Sequence, residues 1–141
     1  MVDYSNFKSS LRHLELQYDN YLNSANRLSL TELDKEALAE SVIQRFEICY
    51  DSLWKALKRY LTDELGIPDT PNSPKPVFRL SFENHLFNTT VEPWLRYAQA
   101  RVNTSHDYSG EKAEECLALM DDFIENATHL YQKLTGEKWM S

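Results

Sequence analysis

With 141 residues, 42% of them hydrophobic and 26% charged, the chain has the length and balance of one globular domain, residues 1–141, neither disordered nor fibrous. A formal net charge of −7 argues against wrapping nucleic acid by its phosphates, which needs a basic surface, though a local anion site stays open. Three glycines are too few for a β-sandwich or a phosphate-binding glycine loop, and no apolar run is long enough to cross a bilayer.

The first helix is predicted from Tyr4, Phe7, Leu11, Leu14, Tyr18, Leu22 and Ala25, whose steps of three and four make one stripe. Thr31 is the expected N-cap of a second and longest helix, running from about Glu32 to Leu65 with Gly66 as its stop and Pro68 beyond. Two apolar lines run down it. One is Ala39, Val42, Phe46, Cys49, Leu53, Ala56 and Tyr60; the other is Ile43, Tyr50, Trp54, Leu57 and Leu61. So wide a face places this helix at the centre of a bundle or against another subunit. Tyr50 and Trp54 read first as core residues, with a ligand contact as the alternative.

Gly66 to Pro76, with four prolines, reads as a loop. A shorter helix is expected from Val77 to Phe87 with Phe78, Phe82 and Leu86 on one side. Another follows from Val91 to about Asn103, with Pro93 in its first turn and Trp94, Leu95, Ala98 and Val102 as its apolar side. The last begins near Ser109 and runs unbroken to Leu134, before Gly136. These elements predict an all-α, up-and-down bundle of four to five helices.

Met1-Val2-Asp3-Tyr4 lacks the basic-then-apolar order of a signal peptide. Cys49 and Cys116 sit far apart in apolar helical registers. Together these features predict buried free thiols and a cytoplasmic protein. Acidic residues gather after position 106: Asp107, Glu111, Glu114, Glu115, Asp121, Asp122 and Glu125. They read as a solvated helix face or as a docking surface for a basic partner.

The densest chemistry lies in Arg101-Val102-Asn103-Thr104-Ser105-His106-Asp107-Tyr108. A guanidinium can grip phosphate through two parallel hydrogen bonds, an imidazole can move a proton, and a phenol can accept a group. On an unbroken helix, at about 100° per residue, Arg101 and Tyr108 share a face while His106 points about 140° away from Arg101. Asn103-Thr104-Ser105 favours a break, which would let His106 swing toward Arg101. The plainer alternative is a structural Arg101 pair with Asp107 or a glutamate, beside a surface histidine. Glu47 reads as an exposed helix charge, or as a group that orients Arg101 from across the bundle. His13, His85, His106 and His129 are scattered. No pair has zinc-site spacing, so neither a metal nor another cofactor is expected.

Val42-Ile43-Gln44-Arg45-Phe46-Glu47-Ile48-Cys49-Tyr50-Asp51-Ser52-Leu53-Trp54-Lys55-Ala56-Leu57-Lys58 resembles the second helix of the nucleotidyltransferase substrate-binding protein family. That family lies within the HEPN superfamily, close to the HepT toxins. Lys75, Val77-Phe78-Arg79, Trp94-Leu95 and the Arg-x4-His-x-Tyr segment from Arg101 to Tyr108 follow in the same order. The resemblance implies a homodimeric helical bundle that pairs with a minimal nucleotidyltransferase, as a heterotetramer, and handles a nucleotide or RNA away from any membrane. It implies a companion subunit in a toxin–antitoxin pair, with Tyr108 as acceptor of AMP. It also implies a metal-independent ribonuclease as the alternative, with Arg101 and His106 as the catalytic pair and Asn103 and Glu47 in support. Val102 departs from the pattern, since many HEPN ribonucleases carry a polar residue directly after the motif arginine; this weighs against cleavage and leaves the complex and Tyr108 unaffected. A purely structural helical adaptor is the third reading.

Overall fold

The structure, a computed structural model, describes residues 2–105 and 110–140. Its regular elements are α1 (Ser5–Asn23), α2 (Glu32–Arg59), α3 (Pro74–Glu83), α4 (Glu92–Thr104), α5 (Gly110–Ala118) and α6 (Met120–Thr135). This is the expected all-α bundle. It has six helices rather than four or five among the described residues, because the last expected helix is divided at Leu119, whose N–H bonds three residues back to Cys116 at 3.1 Å. None of the helices is long and apolar enough to cross a membrane.

Phe7, Leu11, Leu14 and Tyr18 are buried on α1, as their spacing predicts. Leu22 and Ala25 are not: Leu22 is 49% exposed, and beyond Asn23 the chain tightens into a 3₁₀ turn at Ser24–Asn26 that carries the stripe out of register. Thr31 caps α2 reciprocally with Asp34: each side-chain oxygen accepts the other's backbone N–H at 3.0 Å. Both apolar lines of α2 are buried along most of their length, and the helix packs against α1, α3, α4 and α5. The wide face therefore serves a central position. A π turn at Tyr60–Glu64 ends α2, and Gly66 follows at φ +67°, a left-handed conformation suited to glycine.

Helix α3 starts three residues earlier than expected. Pro74 and Pro76 lie inside its first turn, where a missing N–H costs nothing because those groups have no intrahelical acceptor. Proline at a helix start and proline in a loop look alike in sequence. Helix α3 also ends earlier, at Glu83; Phe82 is 42% exposed, whereas Leu86 is buried from the following turn. That turn is a Schellman motif: the N–H of Leu86 bonds Ser81 O and that of His85 bonds Phe82 O, both at 3.0 Å, with His85 left-handed at φ +60°.

Helix α4 tolerates Pro93 in its first turn and buries Trp94, Tyr97, Ala98, Ala100 and Thr104. Val102, expected on the apolar side, is 53% exposed. An aromatic chain crosses the core from Phe87 through Trp94 and Tyr97 to Phe123 and Phe46, with ring centroids 4.2, 5.4, 5.0 and 4.9 Å apart in turn. Such pairs contribute about 1 kcal/mol each beyond area burial. After α6, Gly136 turns the chain at φ +72°, and residues 137–140 lie as a strap across α1 and α6. Trp139 is 8% exposed and donates its indole N–H to Glu15 at 3.3 Å. The Arg12 guanidinium stands 4.8 Å above its ring and also donates to Met140 O.

Candidate functional site

Glu47 and Asp51 stand one turn apart on α2, and Arg101 and Thr104 one turn apart on α4, so each pair presents both side chains on one helix face. The two faces meet. Arg101 Nη1 donates to Glu47 Oε2 at 3.1 Å, while Nε and Nη2 fork onto the two oxygens of Asp51 at 3.4 Å each. The Thr104 hydroxyl donates to the same Glu47 oxygen at 2.9 Å. Glu47 is therefore not an exposed helix charge. It is 8% exposed and holds Arg101 from across the bundle. The signal was in the register: Glu47 lies four residues after Ile43 and three before Tyr50, in the slot their apolar line leaves vacant.

One guanidinium between two carboxylates leaves these three side chains with a formal charge of −1. Burial pushes the adjacent Tyr50 phenol well above its ordinary range; the Asp51 charge adds to that and Arg101 offsets part of it. Burial, with the Glu47 charge adding to it, likewise raises the Cys116 thiol to about 12. Both cysteines are buried and free, as expected.

The cluster opens on a cavity of about 590 Å³ between α2, α4 and the start of α3. Tyr50, Trp54, Pro74, Pro76, Ala98 and Val102 supply apolar walls; Asp51, Lys75, Arg101, Ser73 and Ser105 supply polar groups. Trp54 is partly buried, so its role as a cavity wall joins its role in packing. Sequence reading missed Lys75 as a cavity residue because its segment looked like loop.

Helix α4 ends at Thr104, within the Asn103–Ser105 stretch expected to break it, and the Ser105 hydroxyl bonds back to Val102 O at 2.6 Å. Asn103 accepts from Gln99 at 3.0 Å on its own helix. His106 and Tyr108, the other motif residues, lie outside the described residues, as do Asp107 and Ser109. His13 and His129 are exposed. Among the described residues no three His, Cys, Asp or Glu side chains converge as a metal site requires.

A family model described as nucleotidyltransferase substrate binding protein like matches residues 2–136. A Haemophilus influenzae protein named probable ribonuclease HepT is 28% identical over 106 residues, which is 71% of this chain and 69% of that protein. Two solved structures share the fold. One, from Haemophilus influenzae, is described as revealing the fold of a substrate binding domain of a nucleotidyltransferase; its TM-score is 0.83 at 24% identity, over 94% of this chain and 98% of that one. The other, from Thermus thermophilus, has a TM-score of 0.67 at 24% identity, over 86% of this chain and 98% of that one.

Proposed function

This chain belongs to the nucleotidyltransferase substrate binding protein like family, and from that membership we propose that it is the companion subunit of a minimal nucleotidyltransferase. Its Arg101-centred face is what the transferase meets. The observation that carries the reading is the fixed guanidinium: Glu47, Asp51 and α4 hold Arg101 in one orientation at the wall of an open cavity. A side chain held this way is organised before binding, so little freedom is lost when a partner or nucleotide arrives. In this reading the motif that starts at Arg101 is presented to the transferase, and Tyr108 is the acceptor of AMP. The subunit acts as a homodimer, with one transferase on each side.

The likeness to a protein named probable ribonuclease HepT favours a second reading. Here Arg101 stabilises charge on a transferring phosphate while His106 moves the proton, across a homodimer. Charge weighs against this in the isolated chain. A phosphate approaching Arg101 meets Glu47 and Asp51 already there, on a chain of net charge −7.

Size-exclusion chromatography of this chain mixed with the minimal nucleotidyltransferases of its own cell tests the first reading. A stable complex at micromolar concentration is expected, and ATP should add AMP at Tyr108, read by intact mass and lost in Tyr108→Phe. Absence of a complex with every such transferase would overturn it. Growth arrest on expressing the chain alone, relieved by Arg101→Ala and by His106→Ala, would establish the second.

A further inference from the structure

A separate cavity of about 250 Å³ lies between the turn after α3 and one face of α6. His129 and Lys133, one turn apart on α6, line it together with Asn126, and His85 faces it from the Schellman turn. Its apolar floor includes Phe87 and Leu130. In a chain with 22 acidic and 15 basic residues, no carboxylate among the described residues lines this cavity. The lining Asn126 amide donates to the Tyr97 hydroxyl at 2.7 Å and to Asp122 Oδ2 at 3.5 Å. The other helix bordering the cavity, α4, contributes Trp94 and no charge.

His85 supplies a second, independent observation. It is one of two described non-glycine residues with positive φ, and it occupies the turn position where glycine is the usual residue. The backbone there is strained for any side chain, so a glycine would serve the turn better. Strain kept at a cavity wall points to a use for the imidazole.

We propose that this cavity is an anion-binding site for a small organic phosphate, held by the His85 and His129 imidazoles and the Lys133 ammonium, with its organic part on the Phe87–Leu130 floor. The three donors come from two elements and line one concave space open to solvent, where an anion can accept charge-assisted hydrogen bonds from more than one of them. The volume, roughly that of eight waters, leaves room for more than a bare phosphate. The site is distinct from the Arg101 cavity and uses none of its residues.

Phenyl phosphate is the probe, titrated at constant ionic strength against sodium chloride, with the imidazole resonances of the full chain followed by NMR. Saturable shifts at His85 and His129 are expected, with none at His13 on α1, which lines a separate hollow with Arg45, and chloride alone should not reproduce them. Lys133→Gln should weaken binding at least tenfold. His85→Gly should weaken it comparably while the melting temperature holds or rises, since the turn is relieved of strain. Equal shifts at His13, or unchanged affinity in both variants, would overturn the site.

Discussion

Replacing Glu47 with alanine is the sharpest test of how Arg101 is held. Two effects add. Thr104 is 1% exposed, and its hydroxyl would lose the 2.9 Å bond to Glu47, keeping only a poor 3.4 Å contact to Arg101 O. Leaving a buried hydroxyl without a good acceptor costs about 1–2 kcal/mol. Arg101 would also lose a partner at 3.1 Å; the two side chains are 29% and 10% exposed. Solvent on the arginine side and the relieved desolvation of Glu47 hold that loss to about 1 kcal/mol. The expected destabilisation is about 2–3 kcal/mol, a fall in melting temperature of about 6–10 °C for a chain of this size. Urea unfolding followed by circular dichroism measures it. Thr104→Val in both backgrounds completes a double-mutant cycle, with an expected coupling of about 1 kcal/mol. A cost below about 0.5 kcal/mol for Glu47→Ala, or strict additivity in the cycle, would refute the view that Glu47 anchors both α4 residues.

Three further outcomes follow from the packing. Burial raises Cys49 and Cys116 to about 12 from an ordinary 9.0. The unfolded chain therefore releases these protons first, and stability present below pH 9 is lost as pH rises toward 12. At pH 10.5 the loss is about 2 kcal/mol per thiol; the drop in urea midpoint between pH 8 and 10.5 should shrink in a Cys49→Ala/Cys116→Ala variant, with buried phenols such as Tyr50 and Tyr97, raised by the same cause, supplying the remainder, and an identical drop in that variant would exclude the thiols as a cause. Thr31→Ala, which removes one half of the cap on α2, should cost about 1 kcal/mol in the same unfolding assay, and no change would mean the start of α2 frays regardless. Trp139→Ala should cost about 3 kcal/mol by removing the ring held by Glu15 and Arg12; a loss no larger than that of Met140→Ala would show that the strap adds little.

Periodicity made α1 and α2 readable, and the α5–α6 stretch was expected as one helix, because long amphipathic helices repeat their signal several times. Thr31, Gly66 and Gly136 marked ends through cap chemistry that is local in sequence. The departures have local causes as well. Pro74 and Pro76 carry the same restriction at a helix start as in a loop, so composition could not separate the two. No glycine or proline marks the break at Leu119, where a single i→i−3 hydrogen bond divides the helix. Tyr97 was passed over on α4 and is fully buried at the centre of the aromatic chain, its hydroxyl bonded to Asp122 and Asn126. At the site, Arg101 was visible by type. Of its partners, Glu47 was weighed as one of two readings and Asp51 was not foreseen, because pairing across 50 and 54 residues depends on how two helices dock. Glu47 alone left a trace, as a charge in an apolar register.

The strap has a consequence for how the chain is made. Trp139 closes over Arg12 and Glu15, side chains translated more than a hundred residues earlier. While the ribosome tunnel still holds position 139, that face of α1 is unsealed and the Nε of Arg12, buried without a hydrogen-bond partner in the finished fold, remains within reach of water. The face of the first helix that carries Arg12 and Glu15 is therefore among the last surfaces of the bundle to be covered, closed only after the tryptophan has emerged.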